Sequence, residues 1–214
     1  KGFCMDLSTN KTISDFSATL YPQIRSHVYD REKWIGVPYE LFSNQSFGFN
    51  TKLAKALNID APQTYSDMVK LFAAWPDVCE NASAESPLYL TTGPLTDTVS
   101  RLLRYGMDAY IAEQPDALPI SFDTDEFRSF IHILDQSREK LALLTDDDSG
   151  WASDDPNDSL IIESYPILAT QSEENLDLDT VKPLTLSVAE NENACIPTEM
   201  TVFTVNTSSE HKDI

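Results

Sequence analysis

Between Thr124 and Leu141 the apolar residues Phe127, Phe130, Ile131, Leu134 and Leu141 recur at helical spacing, so one face of an α-helix buries them together. A strand, which alternates faces every second residue, cannot do so. Asp123 or Thr124 can cap this helix, and Glu126 stands early in its first turn. A second stripe of the same period, Val99, Leu102, Leu103, Met107 and Ile111, follows the short apolar run of residues 88–90. Strand followed by helix is the α/β rhythm, and it predicts a mixed sheet covered by helices with Phe127, Phe130, Ile131 and Leu134 in its core.

The rest of the chain agrees with that class. Phe16, Leu20, Ile24 and Val28 stand four residues apart around Pro22 and predict short helices over residues 15–31. Residues 34–39 read as a strand that stops at Pro38, residues 40–46 as a polar loop, and residues 47–49 as a second extended segment. Thr64 reads as an N-cap, with Asp67 close to the capping-box position, for a helix through Met68, Leu71, Phe72 and Trp75 that ends before Pro76, with Trp75 in the core. Residues 160–162, 184–188 and 200–205 complete the strand candidates.

Charge narrows the function. Thirty-five acidic against fifteen basic residues leave a net charge of −20, which repels phosphate backbones and anionic membrane surfaces, so nucleic acid is not expected as a partner. No apolar run reaches the roughly eighteen residues of a membrane helix, since residues 160–168 are broken by Glu163 and Pro166. Cys4, Cys79 and Cys195 are three widely spaced cysteines, read as isolated thiols of which two could pair. His27, His132 and His211 offer no zinc frame, and neither a nucleophile elbow nor a phosphate-binding glycine loop occurs, so no metal and no cofactor are expected. The acidic run Asp146 to Asp158 fails the calcium-loop pattern, because with Gly150 at the turn Thr145 stands first and Pro156 closes it. Tyr39, Phe42, Phe47, Phe49, Trp151 and Tyr165 lie at strand ends or in loops, where aromatic faces suit sugar rings, although packing is the commoner use of each.

The order of several motifs resembles the signature of extracellular solute-binding proteins of ABC importers, the family of the maltose-type receptors. Trp34-Ile35-Gly36-Val37-Pro38-Tyr39 is similar to its "Y-G-V-P", Phe47-Gly48-Phe49-Asn50-Thr51-Lys52-Leu53 to "Y-Y-N-K-x-L-F", and Leu57-Asn58-Ile59-Asp60-Ala61-Pro62-Gln63-Thr64-Tyr65-Ser66-Asp67 to "G-L-x-x-P-x-T-W-D-E". Thr124-Asp125-Glu126-Phe127, Ser159-Leu160-Ile161-Ile162 and Val205 to Asp213 continue the likeness, with Tyr65, Ser159 and Ile162 as departures from the family's Trp, Gly and Met.

The resemblance implies a type II periplasmic-binding-protein-like receptor whose two lobes close on a solute. Residues 1–48 would be part of a first lobe with its crossover, residues 49–206 mostly the second lobe, and residues 207–214 the start of a return segment. The chain opens on Lys1-Gly2, and Ser208 or Ser209 caps no helix, so it reads as an excerpt holding one lobe plus a remnant of the other. By the same resemblance the solute-facing residues are Tyr39, Phe42, Ser43 and Asn44, then Thr91, Thr92 and Gly93, then Glu163, Ser164 and Tyr165, with Trp151 as a neighbour. The implied function is non-enzymatic capture of a small solute by a monomer, lipid-anchored outside the cell or in the periplasm, for the membrane subunits of a bacterial ABC importer. A sugar or oligosaccharide is favoured, and peptides and polyamines stay open. A sensor or adhesion ectodomain on the same fold and a surface glycoside hydrolase are the other readings.

Overall fold

A computed structural model describes residues 4–43, 45–82, 87–114, 119–145, 150–163, 176–188 and 194–209. The chain divides into two compact units, one of residues 1–42 and 198–214 and the other of residues 43–197.

The smaller unit carries helices α1 (Lys11–Ala18) and α2 (Pro22–Val28), the hairpin β1 (Tyr29–Asp30) with β2 (Lys33–Trp34), and strand β3 (Val37–Phe42) paired antiparallel to β8 (Glu199–Phe203). Pro22 starts α2, in the first turn, where an N–H has no partner within the helix and its loss costs nothing. Leu7, Val28 and Trp34 form the core of this unit, with Met200 and Val202 against it. β3 continues through Pro38 to Phe42, beyond the predicted stop, and takes in the first residues of the predicted loop. Its register shifts between Pro38 and Glu40, and a bulge in a two-stranded ribbon is where proline is tolerated.

The larger unit is built on a four-stranded mixed sheet in the order β5 (Tyr89–Thr91), β6 (Ser159–Glu163), β4 (Phe47–Asn50), β7 (Val181–Leu184). β5 and β6 are parallel, while β4 is antiparallel to both β6 and β7. Helix α3 (Thr51–Leu57) packs on β6 and β7, and α4 (Tyr65–Asn81), α5 (Thr98–Ala112) and α6 (Asp125–Ala142) pack on one another. Their apolar stripes meet the sheet in one core containing Phe72, Trp75, Leu102, Phe130, Leu141, Leu160 and Ile161. This is the α/β fold and the mixed, helix-covered sheet that the periodicity predicts. Phe127, Phe130 and Leu134 are buried as expected, and Ile131 is half-buried against the same core.

Three details correct the sequence reading. α4 runs through Pro76 to Asn81. Proline there removes one helical hydrogen bond, but Trp75 is fully buried, Val78 and Cys79 pack on the core, and Lys140 of α6 reaches Asp77 at 3.3 Å, so packing of the whole face holds the helix together. The strand expected at residues 184–188 is β7 at Val181–Leu184, with Pro183 accepted because β7 is the edge of its sheet. Phe47 and Phe49, read as loop or strand-end aromatics, are buried in the core. Cys4, Cys79 and Cys195 are all free thiols.

Candidate functional site

The strand pairings bring one set of chain segments to a single end of the larger sheet. Tyr89 pairs with Ser159 and Thr91 with Ile161, so β5 and β6 point the same way, and Phe47 pairs with both Glu163 and Leu184. Thr92 and Gly93 leave β5, and Glu163 closes β6, at their carboxyl ends, which is where open α/β sheets bind ligands.

Glu163 organises the polar groups there. Its backbone N–H donates to Thr92 Oγ1 at 2.9 Å, and the Thr92 N–H donates to the Ile161 carbonyl at 3.2 Å. Its carboxylate accepts from Thr91 Oγ1 at 3.1 Å on Oε1, and from Arg101 Nη1 at 3.2 Å and Tyr105 Oη at 3.4 Å on Oε2. The Gly93 N–H donates to Thr91 Oγ1 at 3.1 Å. Arg101 and Tyr105 are four residues apart on α5 and therefore share a face. The Arg101 and Glu163 side chains are only 17% and 13% exposed.

Two further observations show how closely this cluster is built. A Cβ on Gly93 would lie 2.3 to 2.5 Å from the Glu163 carboxyl atoms, so a side chain there would force the carboxylate out of its present position. The Tyr105 ring stands edge-on to Phe47 at 5.5 Å, and burial, with the Glu163 charge second, pushes its phenol up, so at neutral pH it remains a donor. Next to it a second chain of hydrogen bonds runs from Tyr65 Oη to Gln45 Oε1 at 3.2 Å and from Gln45 Nε2 to Asp108 Oδ2 at 2.7 Å. Burial, with Glu113 second, pushes the Tyr65 phenol well up as well.

The residues named from the sequence fall in different places. Thr91, Thr92, Gly93 and Glu163 come together in the cluster just described. Trp151 hands its carbonyl to the Leu90 N–H at 2.7 Å, and its half-buried side chain packs on the main core. Ser43 donates to the Pro197 carbonyl at 2.5 Å and accepts from the Gln45 N–H at 3.2 Å, tying together the two ends of the larger unit. Tyr39 belongs to the smaller unit, is 67% exposed and lies 4.8 Å from the Phe203 ring. Phe42 ends β3 opposite Glu199. Asn44, Ser164 and Tyr165 lie outside the described residues. The sequence marks Arg101 and Tyr105 only weakly, because their helix shows chiefly its apolar stripe. The available signal was a polar pair at i, i+4 adjoining that stripe. Among the described residues no three His, Cys, Asp or Glu side chains gather as metal ligands would.

At the opposite end of the sheet lies a cavity of about 840 Å³, lined by Leu53, Leu57, Val78 and Leu88 with Asn50, Asp77, Asn157 and Asp158 among its polar residues. Asn50 is occupied there, donating to the Asn157 carbonyl at 2.8 Å and accepting from the Leu53 N–H at 3.0 Å.

Solved structures resemble the chain over nearly its whole length. A sugar transporter from Bacillus licheniformis in complex with stachyose matches 98% of this chain with a TM-score of 0.57 at 14% identity. The GacH receptor of Streptomyces glaucescens, determined unliganded and with acarbose, matches 99% with a TM-score of 0.55 at 14% identity. An ABC transporter solute-binding protein from Agrobacterium radiobacter in complex with ribitol matches 99% with a TM-score of 0.55 at 12% identity. The fold is that of the solute-binding proteins. This chain spans between 54% and 56% of the length of those three structures. No family model and no curated protein matches the sequence. Among the described residues no helix is long and apolar enough to cross a membrane.

Proposed function

We propose that this protein captures a small polar solute, with a sugar or oligosaccharide as the favoured class, and that it does so at the carboxyl ends of β5 and β6. The observation that carries this reading is the Thr91–Gly93 and Glu163 cluster, which combines hydroxyls, a glycine turn and a carboxylate at the end of the sheet where this fold class takes ligands. Capture would serve delivery to the membrane subunits of an ABC importer, from the periplasm or from the outer face of the membrane. The larger unit, residues 43–197, would act as most of one lobe and the smaller unit as part of the other, with the lobes closing on the solute. Tyr39, Phe42, Ser43 and Asn44, and Ser164, Tyr165 and Trp151, are the further candidate contacts.

A binding role is favoured over glycoside hydrolysis because hydrolysis needs two carboxylates at a set separation, and among the described residues the cluster contains one, already paired with Arg101. A thermal-shift screen of sugars, short peptides and polyamines tests the proposal, since a ligand that binds the folded state alone raises the melting point. The expected result is a rise with a sugar, abolished by Thr92→Val. A sugar-dependent rise that Thr92→Val leaves unchanged would move the site elsewhere, and turnover of a glycoside would replace the reading.

A further inference from the structure

We infer that Arg101 sets the ligand class of this site, by cancelling the charge of Glu163 so that the site accepts neutral hydroxyl-bearing solutes and rejects cations and anions. The inference rests on the reading of the β5–β6 end as the solute site.

On a chain of net charge −20, a lone carboxylate at the end of β6 would make a receptor for cations. The structure gives it a partner. Arg101 reaches Glu163 from the first turn of α5, and both side chains are largely withdrawn from water, where an ion pair is screened far less than at the surface. Thr91 and Tyr105 add two neutral donors to the same carboxylate, and Gly93 keeps the space in which it sits. An ammonium group offers donors and positive charge to an acceptor already matched by a guanidinium. A carboxylate ligand meets the opposite mismatch, facing Glu163.

An alcohol suffers neither penalty, because each hydroxyl both donates and accepts. The cluster retains capacity of both kinds. Glu163 Oε1 has a single donor among the described residues, and Thr92 Oγ1 uses its oxygen as an acceptor and keeps its proton. Such a mixture discriminates by leaving the wrong ligand with unpaired charge, which is a stronger device than adding one more attractive contact.

The test uses two charged probes, spermidine and D-galacturonate, titrated by calorimetry into the wild type, Arg101→Gln, Glu163→Gln and the double variant. Wild type is expected to bind neither probe. Arg101→Gln, with Glu163 uncompensated, gains spermidine affinity by at least about tenfold, Glu163→Gln gains galacturonate to a similar extent, and the double variant gains neither. Arg101→Lys keeps the charge and continues to reject spermidine, which a merely structural role for Arg101 would not require. If Arg101→Gln fails to fold, the Glu163→Gln arm decides alone. Absence of a gain in the folded variants overturns the inference, as does a wild type that binds spermidine and loses it in Glu163→Gln. These readouts contain no neutral sugar, so a screen in which no neutral sugar binds would remove the solute proposal without being confused with the outcome for Arg101.

Discussion

The two ends of the larger sheet differ in a way that separates space from chemistry. At the amino ends of β5 and β6 there is an open cavity of about 840 Å³, but its polar residues are engaged with neighbours or lie at the surface, as the Asn50 and Asp77 contacts show. At the carboxyl ends the polar groups converge, with three donors on one largely buried carboxylate and a glycine that leaves it room in that position. Volume alone would select the first end. Recognition of a polar solute needs convergent, oriented hydrogen-bonding groups, and these select the second.

The sharpest way to break this contrast is Gly93→Val. A side chain there displaces the Glu163 carboxylate and separates it from Arg101, and disrupting a buried pair costs about 3 kcal/mol. Solute affinity is expected to fall more than about a hundredfold, measured by calorimetry beside a denaturant melt. Gly106→Ala comes next. Its Cβ would stand 2.3 Å from the fully buried Phe130 ring, so the ring, or α5 with its Arg101 and Tyr105, must give way. A loss of about 1 to 3 kcal/mol in stability is expected, with a smaller loss of binding.

Much of the scaffold was legible in the sequence because local chemistry decides it. The capping box forms as read, with Thr64 Oγ1 accepting from the Asp67 N–H at 3.1 Å and Asp67 accepting from the Thr64 N–H at 3.2 Å, and Trp75 is in the core. Failures came where tertiary packing overrides a local rule. Pro76 stays inside α4 because the faces on either side of it are buried, and Pro38 and Pro183 sit in strands because each has a free edge or a bulge to sit at. In the candidate site, Thr91 to Gly93 and Glu163 entered through motif resemblance. Arg101 carries only the weak signal of its i, i+4 pairing with Tyr105, since its role depends on α5 lying across the end of β6, which no spacing encodes.

The same α4 cap supplies a smaller test at the carboxyl end. Thr64→Ala should cost about 1 kcal/mol. Burial pushes the Asp67 carboxyl up, but hydrogen bonds from Thr64 and Lys70 outweigh it and hold the group below its ordinary value of 3.8. A depressed carboxyl contributes stability that is present above the unfolded value and lost as pH falls through the folded one. Asp67→Asn should therefore flatten part of the stability loss below about pH 4, as seen in urea melts across that range. The smallest effect belongs to the other end. Ala56→Leu, at an exposed position lining the cavity, should change stability by no more than about 0.5 kcal/mol and leave solute affinity within about twofold.

Hydrogen–deuterium exchange with and without a saturating sugar identified by thermal shift puts the two ends in direct competition. New protection is expected at residues 90–93, at residues 160–163 and in the first turns of α5, with no change at residues 50–57, 74–81 or 157–158. Protection confined to the cavity segments, with Thr91 to Gly93 and Glu163 unaffected, would contradict a solute site at the carboxyl ends.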